Sequence, residues 1–247
     1  MITWLLPSAW GAVNFQGDAD YINCGDLGDL GSQYTCGVVF KTDTVAENNL
    51  ILSYRTNDQA DQTRLPIQLD HNNADMRFLV RDDDSDLAIV TKAGVLNNTD
   101  FFAVVGVRDG TTINLYVNNE AVGTDTDGAL DAVITMNICG IGAFYDDLGN
   151  SWDTTTVFNG IIAEVFIVNT AWSADKARSW INSKLKRHSF ILGDDSVAYW
   201  SLDELPDGGA SLSGATFNDL SGNGNTGSGV DADNDSLGVG ETILSYQ

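Results

Sequence analysis

The stretch DFFAVVGVRDGTTINLYVNNEAVGT, from Asp100 to Thr124, predicts two adjacent β-strands joined by a tight turn. The Asp-Gly pair in its middle supplies the positive φ that a short hairpin turn needs. After the turn, Ile113, Leu115 and Val117 alternate with residues that tolerate water, so one face of the strand is buried. The stretch therefore predicts an antiparallel hairpin packed against an apolar core.

Similar short runs recur along all 247 residues, and polar turns separate them. The acidic residues are 30 Asp and only 5 Glu, and the chain also has 25 Gly. Asp and Gly favour turns, whereas Glu favours helix interiors. The pattern predicts an all-β, two-sheet antiparallel sandwich. Its expected strands are 12–16, 19–23, 33–41, 48–56, 65–70, 76–81, 87–92, 100–108, 112–118, 138–144, 158–169 and 196–202.

One segment, SADKARSWINSKLKRH, breaks this pattern and predicts a short amphipathic helix at about 173–187. Ser173 is a suitable N-cap, and basic residues collect near the C-terminal end, where the helix dipole is negative. The apolar stripe at helical spacing consists of Ala177, Trp180, Ile181 and Leu185. The basic residues are explained by an ordinary helix end or, alternatively, by a docking patch for an acidic partner.

Composition excludes several classes of protein. A net charge of −23 opposes binding to nucleic-acid backbones and to anionic membranes. No apolar run is long enough to insert into a membrane. The cysteines Cys24, Cys36 and Cys139 match no metal-binding spacing, and we expect buried free thiols. The N-terminal MITWLLPSAWGAVNF lacks a positive region and is a poor signal peptide, so we do not expect export by the usual route.

Four segments together resemble the laminin-G-like (concanavalin A-like) family of jelly-roll domains, which includes lectins and glucanases. They are GAVNFQGDADYINCGD (11–26), the hairpin of 100–124, FNGIIAEVFIVNTAWSADKARSWI (158–181) and VAYWSLDE with DLSGNGNTG (within 197–227). The resemblance implies a jelly-roll sandwich and a role outside the cell.

The order of these segments differs from the usual order of the family, because the block 197–227 normally comes first. We interpret the chain as one circularly permuted jelly roll over 1–227, with 196–203 as its displaced first strand. Residues 228–247 are then a C-terminal arm or loop. The alternative is a truncated second copy, which would leave Tyr199 and Trp200 exposed at a cost in free energy.

The carboxylates do not predict an enzyme. Retaining glycosidases need two carboxylates about 5–5.5 Å apart, and none of the five Glu occurs in a Glu-x-Asp-x-Glu type of strand pattern. Glu164 matches the acidic position of the closing strand of the family, where the resemblance implies a structural role. We therefore expect a non-enzymatic protein.

The best candidate site is the loop FYDDLGNSWDT, residues 144–154. Aromatic rings and amides can bind a pyranose, and carboxylates are ligands for Ca²⁺. The predicted carbohydrate-binding residues are Tyr145, Asn150 and Trp152, and the predicted metal ligands are Asp146, Asp147 and Asp153. No cofactor is required, and Ca²⁺ is an optional one. The alternative is an acidic loop whose Trp152 folds back onto the sandwich.

Two functions follow. The first is a structural or adhesive protein of a virus particle, such as a bacteriophage decoration, fibre or tail protein, made in the host cytoplasm. Its partners would be other virion proteins, further copies of itself or a cell-surface glycan. The second is an extracellular carbohydrate-binding module of a secreted bacterial protein. The missing export signal favours the first, because phage proteins leave the cell by lysis and phage genomes often carry such domains.

Overall fold

The computed structural model describes residues 11–17, 19–46, 48–55, 67–81, 86–118, 120–127, 130, 137–146, 151–153, 155–185, 192–193, 195–205, 211–231 and 237–239. These residues form two large antiparallel sheets, a two-stranded ribbon and one helix. The predicted all-β jelly-roll sandwich is confirmed. No helix within the described ranges is long and apolar enough to cross a membrane.

The described residues form eighteen strands and one helix. They are β1 (Ala12–Gln16), β2 (Tyr21–Gly25), β3 (Gln33–Thr42), β4 (Asn48–Arg55), β5 (Ile67–Asn72), β6 (Asp75–Arg81), β7 (Leu87–Lys92), β8 (Phe102–Asp109), β9 (Thr112–Val117), β10 (Glu120–Thr126), β11 (Ile138–Ile141), β12 (Tyr145–Asp146), β13 (Ser151–Trp152), β14 (Asn159–Val168), α1 (Ala174–Leu185), β15 (Ser196–Trp200), β16 (Thr216–Phe217), β17 (Gly227–Val230) and β18 (Leu237–Val239).

Two sheets stack face to face. The helix-side sheet has the order β10-β9-β8-β3-β14-β1-β18, and β15 also pairs with β14. The ribbon-side sheet has the order β16-β17-β2-β11-β4-β5-β6-β7, and β12 pairs with β13 in the separate ribbon. The hairpin of 100–124 becomes β8, β9 and the start of β10, with Asp109 opposite Thr112 across the turn.

The main core lies between the sheets and follows the period of two that strands impose. In β6, for example, Met76, Phe78 and Val80 are buried, whereas the residues between them are partly exposed. Phe78 needs a glycine opposite it, because a Cβ on Gly106 would lie 2.6 Å from the ring. The three cysteines of the chain are buried free thiols that form no disulfide, as predicted.

A second core lies between the outer face of the helix-side sheet and α1. Ala177, Trp180 and Ile181 of the helix pack into it together with Phe166 of β14. Ser173 caps the helix, since its Oγ accepts a hydrogen bond from the Lys176 backbone N–H at 3.3 Å. The predicted helix is confirmed from Ala174 to Leu185, and its last two predicted residues lie outside the described ones.

Three basic side chains of α1 contact other residues of the same domain. Lys176 lies 4.6 Å from the centre of the Trp172 ring, and Arg178 lies 5.9 Å from that of Tyr116. Lys184 is buried in an ion pair with Glu164. These contacts favour the ordinary helix end over a docking patch.

Two strands from opposite ends of the chain share one edge of β14. Val13 of β1 pairs with Ile162, and Trp200 of β15 pairs with Val165, both antiparallel. The strands follow each other closely, because a Cβ on Gly11 would lie 2.5 Å from the Cα of Asp203. β15, which the sequence predicts to be a displaced first strand, therefore lies beside β1 along β14.

The C-terminal segment belongs to both sheets. β17 pairs with β2, and β18 pairs with β1. The boundary expected at 227 between the sandwich and a terminal arm therefore lies inside a strand, because Ser228, Gly229 and Val230 continue the ladder along β2. Residues 240–247, the rest of the expected arm, lie outside the described ones.

Candidate functional site

Three aromatic side chains meet on the outer face of the ribbon-side sheet. Trp152 stacks on Tyr21, with ring centroids 4.2 Å apart and an interplanar angle of 22°. Tyr145 meets Trp152 edge to face, at 5.7 Å and 88°. All three side chains are half-buried, so each keeps part of its surface in contact with water. We call these three residues the aromatic cluster.

The positions of the rings follow from strand register. Tyr145 lies opposite Trp152 in the ribbon. Ile22 of β2 points into the core, so Tyr21 beside it points outward. Trp152 lies over Gly140 of β11, where a Cβ would come within 2.9 Å of the Cη2 atom of the indole. The absence of a side chain on Gly140 thus lets the tryptophan approach the sheet.

Asp153 holds the chain that follows Trp152. Its carboxylate accepts hydrogen bonds from the backbone N–H of Thr155 at 2.6 Å and from the hydroxyls of Thr155 and Thr156 at 2.7 Å each. Its own N–H donates to the carbonyl of Phe144 at 2.8 Å. Burial acts to raise the pKa of Asp153, but the hydrogen bonds from Thr156 and Thr155 outweigh it and lower the pKa.

The predicted metal ligands are only partly described. Asp146 lies on β12, but its side chain and the whole of Asp147 and Asn150 are outside the described set. The Asp153 carboxylate is already used by the turn that it closes. Among the described residues, no group of three His, Cys, Asp or Glu side chains is arranged to hold a metal ion. A Ca²⁺ ion in this loop stays a prediction.

Three described arginines lie on the same outer face, Arg55, Arg77 and Arg81. Arg77 binds the buried carboxylate of Asp70 through Nε and Nη2, each at 2.7 Å. Burial raises the pKa of Asp70, and the charge of Arg77 acts against this rise. The buried Arg55 lies over the ring of Phe144, 5.1 Å from its centre.

Glu164 lies on the opposite side of the molecule, beneath α1. Its Oε1 is 2.6 Å from Nζ of Lys184, and each side chain is only 4% exposed. Burial raises the pKa of Glu164, and the Lys184 charge acts against the rise. This carboxylate holds the helix on the sheet, which agrees with the structural role that the sequence suggested.

His71 is a neutral residue of the interior. Its Nδ1 donates to the carbonyl oxygen of Asn73 at 3.1 Å, since that oxygen can only accept. Nε2 is then the acceptor and faces the Asn49 amide at 3.3 Å and the Thr42 hydroxyl at 3.2 Å. Burial lowers the pKa of His71 to about 4. The ring therefore satisfies core polar groups and stays uncharged at neutral pH.

Comparison with known families agrees with the fold. Residues 16–178 match the model of the concanavalin A-like lectin/glucanases superfamily. The chain belongs to this superfamily. The match ends before β15, although Trp200 of that strand is fully buried in the core. A search of curated protein sequences found no match.

Solved structures of this superfamily fold are similar to the chain. A heptameric SAP-like pentraxin from Limulus polyphemus has a TM-score of 0.56 at 14% identity, over 70% of this chain and 82% of the pentraxin. The Ruminococcus gnavus IT-sialidase CBM40 bound to α2,3-sialyllactose has a TM-score of 0.55 at 15% identity. The match covers 70% of this chain and 99% of the CBM40. A Bacteroides ovatus protein named for a proposed carbohydrate-binding role has 0.60 at 17%, over 96% of this chain and 62% of its own length.

The sequence interpretation missed Tyr21. It identified Tyr145 and Trp152 as neighbours in one loop, but it placed Tyr21 only in an early strand. The available signal was alternation: Ile22 and Cys24 are apolar, so Tyr21 and Asn23 must face the other way. Tyr21 is thus an aromatic residue on the solvent-facing side of its strand, which was a reason to include it in the candidate site.

Proposed function

We propose that this chain is a non-enzymatic carbohydrate-binding domain and that a pyranose binds at the aromatic cluster. The observation that carries the proposal is the meeting of three half-buried rings on an outer sheet face. One face of a pyranose is rich in C–H groups and stacks on aromatic rings, while its hydroxyls need polar partners nearby. Tyrosine and tryptophan offer both an apolar surface and a polar atom.

The fold supports the proposal only in general terms. The CBM40 named above is bound to sialyllactose, but at 15% identity it shares with this chain the fold and no more. The geometry of Tyr21, Tyr145 and Trp152 therefore has to carry the argument. Binding does not require Ca²⁺ in this proposal, although a Ca²⁺ ion held by Asp146 and Asp147 would itself bind sugar hydroxyl oxygens.

A non-enzymatic role fits two buried carboxylates that are paired with a cation, Glu164 and Asp70. Hydrolysis of a glycoside needs one carboxyl group as an acid and a second as a nucleophile or base. Glu164 is held by Lys184 beneath the helix, and Asp70 is held by Arg77. Each of these carboxylates is thus committed to a cation, on opposite sides of the sandwich.

A place on a virus particle extends the same proposal. An adhesive virion protein and a module of a secreted bacterial protein would use the same glycan site, and both would act outside the cell. The virion role, with other virion proteins or further copies as partners, rests on the sequence interpretation of export alone. Co-sedimentation of the native protein with intact virions would test it, and its absence from purified virions would contradict it.

A glycan array followed by titration calorimetry tests the binding site. We expect the wild type to bind a set of glycans and Trp152→Ala and Tyr21→Ala to lose at least about tenfold in affinity, which corresponds to about 1.4 kcal/mol. Leu220→Ala, which removes an exposed apolar side chain elsewhere, is the matched control. Adding a chelator separates a Ca²⁺-dependent site from a metal-free one. Retention of full affinity by both aromatic variants would contradict the proposed site.

A further inference from the structure

We infer that the aromatic cluster selects neutral sugars and discriminates against sialylated, uronic and sulfated ones. This inference rests on the proposed function and adds the chemical class of the ligand. It comes from the distribution of charge along the chain and around the cluster, which the proposal of a sugar site did not use.

The segments that build the cluster contain no cationic side chain. Tyr21 lies in the range 1–40, which ends before Lys41. Tyr145 and Trp152 lie in the range 109–175, between Arg108 and Lys176. Neither range has a lysine or an arginine, and they contain four and ten acidic residues respectively. A local ammonium or guanidinium group for an anionic sugar would therefore have to come from another part of the chain.

Arg77 and Arg55 on the same outer face are already committed, and Arg81, at the end of β6, is four strands away from Tyr21, or about 19 Å. Arg77 makes two 2.7 Å contacts to Asp70, and Arg55 is buried against Phe144. Moving either guanidinium to a ligand would leave Asp70 as a buried, unpaired charge or would uncover Phe144. Recognition of a carboxylate or sulfate relies on such cations, because charge-assisted hydrogen bonds supply the attraction.

The surrounding charge acts in the same direction. The chain has a net charge of −23, so an anion approaches against a repulsive field that salt screens beyond about 8 Å at physiological ionic strength. Carboxylates accept hydrogen bonds from sugar hydroxyls but cannot donate one to a sugar carboxylate when both are ionised. Hexoses and N-acetylhexosamines meet no such penalty.

The test is an array of matched pairs: lactose, N-acetyllactosamine and chitobiose beside their sialylated or sulfated forms, at 50 and 500 mM NaCl. We expect each neutral glycan that binds to bind at least tenfold more tightly than its anionic form at 50 mM. The ratio should shrink at 500 mM, because the repulsion is screened. An anionic form that binds as tightly as its neutral partner at 50 mM overturns the inference and leaves the sugar site intact. No binding to any glycan overturns both.

A substitution that adds a positive charge beside the cluster provides a second test, in which affinity for an anionic glycan should increase. Asn23 lies two residues from Tyr21 on the same face and pairs with Gly140, which lies under Trp152. Asn23→Lys should therefore raise affinity for sialylated lactose about tenfold and leave affinity for lactose within about threefold. Ile89→Lys is the matched control, because β7 is five strands away, or about 24 Å. Equal gains in both variants, or a gain in neither, would contradict the local charge argument, with melting temperatures confirming that both fold.

Discussion

Two tryptophans show how differently the outer faces of the two sheets are used. Trp180 of α1 is fully buried between the helix and the sheet, where its ring lies 4.8 Å from that of Phe166, centre to centre. Trp152 lies on the outer face of the other sheet and remains half-exposed beside Tyr21. The same residue type thus closes one face and leaves an accessible aromatic surface on the other. Burial, rather than residue type, separates the structural surface from the candidate binding surface.

The ion pairs of the two faces show the same contrast. Glu164 and Lys184 are each 4% exposed, so both charges are removed from water and depend on each other. Asp70 is buried to a similar degree, but its partner Arg77 is 22% exposed. The helix-side face is therefore sealed, whereas the ribbon-side face still reaches solvent.

The largest effect is expected from removal of residues 191–247. This truncation deletes β15, whose Trp200 and Ala198 are buried and which pairs with β14 on the helix-side sheet. It also deletes β17 beside β2. We expect aggregated or unfolded protein, because the deletion exposes apolar edges on both sheets. Circular dichroism and size-exclusion chromatography measure the result.

Removal of residues 241–247 alone is the control for this truncation. The shorter deletion leaves every described strand in place, so it should melt close to the full chain. A chain cut at 190 that folds and melts like the full protein would contradict the proposal that 196–203 is the displaced first strand of one permuted domain.

The second prediction compares Trp180→Ala with Trp152→Ala. We expect Trp180→Ala to lower the free energy of unfolding by about 3–5 kcal/mol, the usual cost of truncating a buried aromatic residue. Trp152→Ala should cost only about 1–2 kcal/mol, since its ring is half-exposed and loses mainly the contact with Tyr21. Urea denaturation measures both values.

Glycan affinity should respond in the opposite order. The folded fraction of Trp180→Ala should bind glycan as the wild type does, whereas Trp152→Ala should not. If both variants lost affinity in proportion to stability, the two faces would not be functionally distinct.

The smallest of the three effects is a pH dependence from His71. Its pKa is about 4 in the folded chain and 6.5 when unperturbed, so the neutral ring favours the folded state above pH 6.5. As the pH falls from 6.5 to 4, the unfolded state binds a proton that the folded state does not. Stability should therefore fall by about 3 kcal/mol across this window.

The variant His71→Gln isolates this term, because the raised pKa values of Asp70 and Glu164 act with the opposite sign. Urea titrations of both proteins at pH 7, 5.5 and 4.5 should show a steeper loss for the wild type. Parallel profiles would rule out the neutral histidine as the cause.

The sequence predicted the strands whose apolar residues alternate clearly. β1 and β7 have the predicted bounds, because their buried residues recur at every second position. β10 was missed, since Glu120–Thr126 is an edge strand whose side chains are largely exposed and show no apolar alternation. The short, glycine-containing β17 was missed for a similar reason: it is recognised only by its pairing with β2.

The candidate site was predicted only in part. Tyr145 and Trp152 were found because they lie close together in one acidic loop. Their contact with Tyr21 depends on the pairing of β2 with β11 and on the glycine at 140, which join segments more than 100 residues apart. The ion-pair partner of Glu164 could not be predicted from the sequence either, because Lys184 lies on α1 and reaches Glu164 only when the helix packs on the helix-side sheet.

The close approach of Gly11 to Asp203 also concerns how the protein is made. β1 is synthesised well before β15 and β18, the strands that lie beside it on this sheet. Until β15 is made, the edge of β14 that β15 covers stays unpaired, with its backbone N–H and C=O groups open to other chains. The sheet is therefore completed only after β15 and β18 have been synthesised, and until then the nascent chain carries an open sheet edge.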